Sequence, residues 1–126
     1  MQSVCIRKRH YRQERSVSCV AASARMVLSF FGIELEEEHL RRILKTKSYG
    51  TNVANLLVLN DEGLGVRVPL CFLSMSQLAG FIAEKGVPCM VVLDTEWLNY
   101  WEVGCLHMVV VVGFDEEHIM PLRFQV

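Results

Sequence analysis

A cysteine and a histidine, Cys19 and His107, are the two residues whose surroundings best suit covalent chemistry. Cys19 stands at the start of an apolar-periodic run, CVAASARMVLSFF, with Ser16 and Ser18 just ahead as candidate caps. A thiol attacks only as its thiolate. The first turn of a helix offers unpaired N–H groups and the positive end of the dipole, and both favour that anion. A base must still take the proton, and histidine is the usual one. His107 opens the strand-like run HMVVVVG, after the glycine-containing loop WEVGCL. A histidine at the mouth of a strand can reach a neighbouring helix terminus. Gln13, six residues before Cys19, carries a side-chain amide that can donate to an oxyanion, with the cysteine's own N–H as second donor. Each residue also has a plain reading: a small buried cysteine, a strand-end histidine without a task, a surface glutamine. His10 lies in a basic arm, His39 on a charged helix and His118 in a charged turn. None of these three suits a catalytic base.

These residues need elements to hold them. Ala22, Met26 and Phe30 recur at spacing four, with Cys19 and Val27 beside them. They predict one buried stripe on a helix over 19–31, ended by Gly32. ELEEEHLRRILK places acids first and bases last, and offers Glu37–Arg41 and Glu38–Arg42 as i,i+4 pairs. Thr51 can cap a third helix through about residue 60. Val66 to Leu70 reads as a strand. Ser74 and Gln77 form a capping-box pattern ahead of LAGFIAEKG. Strands are expected at 88–93 and 107–112, with 117–120 as a hairpin partner turned at Asp115-Glu116. Helices first and strands last predict an α+β fold, with N-terminal helices packed on a mostly antiparallel C-terminal sheet.

Composition narrows the function class. The chain has 126 residues, 52% hydrophobic and 21% charged, which suits one domain over 1–126 with a packed core. Thirteen basic and fourteen acidic residues leave a formal net charge of -1. No field of that kind points to nucleic acid. The basic run IRKRHYRQER reads as a solvated arm, and no apolar h-region follows it. MVVVVGF is too short to span a bilayer, so the expectation is a cytoplasmic protein. Five cysteines without a CxxC argue against a disulfide framework or a zinc site, and nothing calls for a cofactor. Cys71 and Cys89 sit in apolar runs and read as small buried hydrophobes.

Gln13-x5-Cys19, AASARMVLSFFG, EEEHLRRIL, Gly86-Val87-Pro88 and His107-MVVVVGFD follow one another in an order that resembles the C39-like peptidases, from about Arg12 to Glu117. These are papain-fold cysteine proteases and their stand-alone relatives, among them the double-glycine leader peptidases. The resemblance implies a papain-like fold, with Cys19 as nucleophile, His107 as general base and Gln13 in the oxyanion hole. It also implies a peptide or protein substrate. Two positions depart from the family pattern. Val20 stands where members usually carry glycine, and Arg123 stands roughly where the third triad residue is expected. Asp115 comes too early for that role. These departures raise two further readings: a peptide-binding domain that does not cut, and a remnant lacking its last strand. The aromatic run WLNYW (Trp97 to Trp101) suits either a cleft wall or ordinary packing.

Overall fold

The computed structural model describes residues 4–5, 14, 18–94, 106–114 and 119–121, with the backbone alone for 4–5, 93–94, 106–107, 114 and 119–121. The basic arm apart from Glu14, the aromatic run 97–101, and His10, His118, Asp115 and Arg123 lie outside the described residues. The elements in chain order are β1 (Val4–Cys5), α1 (Cys19–Phe30), α2 (Glu37–Ile43), a 3₁₀ helix (Val53–Asp61), α3 (Met75–Lys85), β2 (Cys89–Asp94), β3 (Leu106–Phe114) and β4 (Ile119–Pro121). The fold is α+β, and every strand pairing is antiparallel. β3 is the hub of the sheet. It pairs with β2 from Cys89↔Val111 to Asp94↔Leu106, with β1 at Val4↔Phe114, and with β4 from Val111↔Pro121 to Phe114↔Ile119.

Strand alternation divides the core. Val109 and Val111 pack with Leu78, Ala79 and Ile82 of α3. Val110 and Val112 pack with Met26 of α1, and Met108 joins a larger cluster with Val20, Ala21, Ala24 and Leu28 of α1. Thus α1 and α3 lie on opposite faces of β3. The larger cluster continues beyond α1 to Leu40 and Leu44, at α2 and its C-terminus, and to Leu56 and Leu59 of the 3₁₀ helix. α1 is therefore the central element, with sheet on one side and helices on the other.

That position overturns the single-stripe expectation for α1. Val20 through Ala24 are all buried, five in succession, and small side chains at 21–24 let neighbours close in from several directions. Phe30, expected in the stripe, is only half-buried. Ser18 is the N-cap residue, yet its side chain makes no cap hydrogen bond, against expectation. Gly32 does end the helix as expected. It has φ +81°, and the N–H groups of Gly32 and Ile33 reach the carbonyls of Ser29 and Leu28, which is a Schellman motif.

Further along, three expectations need correction. The third helix is a 3₁₀ helix, capped by Asn52, whose Oδ1 accepts the Ala54 N–H at 3.0 Å. Thr51 instead hydrogen bonds Thr46 through its hydroxyl, at 2.6 Å. Val53, Leu56 and Leu59, three apart, fall on one side of a helix with three residues per turn, and that side is buried. Val66 to Leu70 forms no strand. Asn60 holds it from the side, accepting the Val68 N–H at 2.7 Å and donating to the Val68 carbonyl at 3.0 Å. Cys71 is exposed rather than buried, because the segment carrying it never enters the sheet; Cys89, in β2, is half-buried. The Ser74–Gln77 capping box forms as expected, and Gly86 (φ +66°) closes α3.

Candidate active site

Ser23 marks the register between helix and sheet. Its hydroxyl donates to the carbonyl of Met108 across 3.5 Å of buried interior. One turn later, Met26 packs against Val110 and Val112, so α1 and β3 advance in the same direction. Four helical residues back from Ser23 is about 6 Å. Two strand residues back from Met108 is about 6.6 Å. The start of α1, with Cys19, therefore lies at the height of Leu106 and His107 at the mouth of β3. Cys19 is half-buried and packs against the cluster that contains Met108. His107 is paired in the ladder with Leu93, and its side chain lies outside the described residues. Position 107 is in step with Val109 and Val111, on the face of β3 that packs against α3, while Cys19 begins the helix on the other face. Gln13 lies outside the described residues.

Its neighbour Glu14 is described, and it sits in a cluster that the charge pattern only half revealed. Glu37, expected to pair with Arg41 along α2, does so, but it is fully buried. Both Glu37 carboxylate oxygens also accept the backbone N–H of Glu14, at 3.0 and 3.3 Å. Arg41 donates in turn to the Glu14 carboxylate at 3.2 Å. Arg25 of α1 approaches the same carboxylate at 3.8 Å and donates to Glu36 at 3.4 Å. Glu38 and Arg42, the second expected pair, are exposed and form no ion pair among the described residues. The signal for the buried member was faint: Glu37 opens a helix whose next apolar contact, Leu40, is three residues on and buried.

No group of three or more His, Cys, Asp or Glu side chains among the described residues could hold a metal ion. Cys89 is no competitor for the nucleophile's role. Burial, and then the charge of Cys71, push its thiol from 9.0 up to about 11.

The order of these parts along the chain matches the model of the Peptidase C39 family over residues 7–121. The chain belongs to the Peptidase C39 family. That span takes in Gln13, Cys19 and His107, together with α1 to α3 and strands β2 to β4. Comparison with curated proteins and with solved structures returned no match. Within the family assignment, a peptidase-like activity on peptide or protein substrates is the coarse functional expectation. No helix among the described residues is long and apolar enough to cross a membrane.

Proposed function

We propose that this C39 family member is a cysteine peptidase-like hydrolase of papain-like arrangement, with Cys19 as nucleophile, His107 as base and Gln13 as oxyanion donor. The observation that carries the reading is the family match over residues 7–121, a span that holds all three residues; the register of α1 on β3 adds that the start of α1 lies towards the mouth of β3.

The chemistry follows in two halves. Cys19 Sγ gives its proton to the His107 imidazole and attacks the scissile carbonyl carbon. The carbonyl electrons move to oxygen, where the Cys19 N–H and the Gln13 amide stabilise the oxyanion. Collapse restores the carbonyl and breaks the C–N bond, and His107 returns its proton to the leaving amine. A water then attacks the thioester while His107 takes its proton. The second collapse frees the acid product and returns the proton to sulfur.

The test is site-resolved alkylation of Cys19 across pH, in the native chain, in His107→Ala and alongside Cys71, followed by peptide cleavage. The expected result is a Cys19 rate that exceeds that of exposed Cys71 near neutral pH and falls at least tenfold in His107→Ala. Equal rates for the two cysteines, untouched by the substitution, would sink the pairing.

A second reading, peptide binding without cleavage, draws on Val20. It is buried in the core beside the nucleophile, where the family usually carries glycine. Turnover of any peptide, abolished by Cys19→Ser, eliminates that reading.

A further inference from the structure

We infer that Glu37 is a positioning residue for the oxyanion donor: its buried carboxylate anchors the Glu14 amide, the peptide group through which Gln13 joins the chain. The inference rests on the role proposed above for Gln13, and it adds a residue that the catalytic chemistry itself does not use.

The first observation is the burial. An exposed Glu–Arg pair at i,i+4 supports a helix only slightly and needs no burial to do so. Glu37 is 0% exposed. A carboxylate withdrawn from water is costly unless hydrogen bonds and a counter-charge replace the water. Glu37 has both, and one of its partners is a backbone N–H 23 residues away in sequence. A buried charge aimed at a distant amide is suited to holding that amide.

The second observation is what that amide belongs to. The Glu14 N–H lies in the same planar unit as the Gln13 carbonyl and Cα. Holding the N–H therefore sets where Gln13 leaves the backbone. Arg41 grips the Glu14 side chain as well, so the residue is held at two points from α2.

The third observation is the shared frame. Leu40 and Leu44 pack against Val20, Ala21 and Ala24 in one cluster, so α2 is seated on the helix that begins at Cys19. Arg25, on that same helix, reaches the Glu14 carboxylate from the other side. The proposed nucleophile and the Glu14 amide are thus referred to one pair of packed helices. An oxyanion hole requires this, because a misplacement of about 1 Å can cost on the order of a hundredfold in rate.

The experiment compares two reactions at Cys19 in the full chain, read by mass spectrometry. Acetylation by p-nitrophenyl acetate passes through a tetrahedral oxyanion, forming the thioester and releasing p-nitrophenolate. Alkylation by iodoacetamide displaces iodide at a saturated carbon and forms no oxyanion. In Glu37→Ala, acetylation should fall about ten- to a hundredfold while alkylation stays within about twofold. Glu37→Gln, which keeps an acceptor for the Glu14 N–H, should lose less. Gln13→Ala should show the same selective loss, and adding Glu37→Ala to it should take away little more. If Glu37→Ala does not fold, as judged by thermal unfolding, Glu37→Asp carries the comparison, with the carboxylate drawn back by one methylene. Parallel loss of both reactions, or losses from Glu37 and Gln13 that multiply, overturns the inference and leaves a purely structural ion pair. Failure of the hydrolase reading looks different: native Cys19 then reacts no faster than Cys71 with either reagent, and the role of Glu37 falls with it.

Discussion

The α1 region and the segment from Leu70 to Phe81 treat their side chains in opposite ways. In α1, small residues of modest hydrophobicity are sealed off completely: Ala21, Ala22, Ser23 and Ala24 are all buried. In the other region large apolar side chains face outward. Leu70, Leu73, Met75 and Phe81 are exposed, and Phe72 is 104% exposed. Hydropathy alone ranks these two regions the wrong way round. What separates them is layer position. α1 has the sheet on one side and α2 with the 3₁₀ helix on the other, while 66–74 runs outside the sheet and α3 buries only Leu78, Ala79 and Ile82. Cys19, the candidate nucleophile, begins the enclosed region.

Four measurements would sharpen or break that contrast. The largest effect should come from Leu40→Ala, which empties a fully buried site between α2 and α1. A loss of about 2–5 kcal/mol is expected in urea unfolding, with an unchanged m-value. Ala24→Leu should follow. Adding apolar volume beside Ala21 and Leu28 should destabilise the chain by about 1–3 kcal/mol, though the residue becomes more hydrophobic. A stabilising result would mean that α1 is not closely packed.

Alkaline pH should have a smaller effect. Cys89 is held as a thiol up to about pH 11, against 9.0 for the ordinary group. Between those values the unfolded chain has released this proton and the folded chain has kept it. Stability present below about pH 9 is therefore lost as pH rises towards 11, and unfolding midpoints should decline across that window. Cys89→Ser should flatten the decline. At pH 8, exposed Cys71 should alkylate well ahead of Cys89. The smallest effect belongs to Phe72→Ser, expected within about 0.5 kcal/mol of the native chain. A loss near that of Leu40→Ala would show that the outward segment is packed in solution, and the contrast would collapse.

Local rules were legible where the determining atoms lie close in the chain. The Ser74–Gln77 box, the Gly32 and Gly86 stops and the Glu37–Arg41 pair all depend on partners within a few residues, and the strands around Met90 and Val110 show as apolar runs although they pair with each other at a distance in the chain. Val66 to Leu70 alternates like a strand, but the backbone N–H and carbonyl of Val68 are satisfied by the Asn60 side-chain amide and not by a neighbouring strand. The third helix took its i,i+3 form because Val53, Leu56 and Leu59 face the packed side together, a demand that comes from α1 and not from propensity. Gln13, Cys19 and His107 stand out in the sequence as candidates by type and spacing, whereas the burial of Glu37 against the Glu14 N–H does not.

By itself, then, the sequence determined α1 to α3, the strands around Met90 and Val110, the Gly32 and Gly86 helix stops and the membership of the C39 family, but neither β1 nor the loop at 66–70. Only the tertiary structure decided that α1 is wrapped from several sides, that Cys71 is exposed and that Glu37 is buried against a backbone N–H 23 residues away. The reason is the range of the forces involved. Caps, turns and i,i+4 pairs act over one helical turn and are written in adjacent letters. Burial and the register of helix on sheet are properties of packed layers, set by residues such as Ser23 and Met108 that are 85 positions apart.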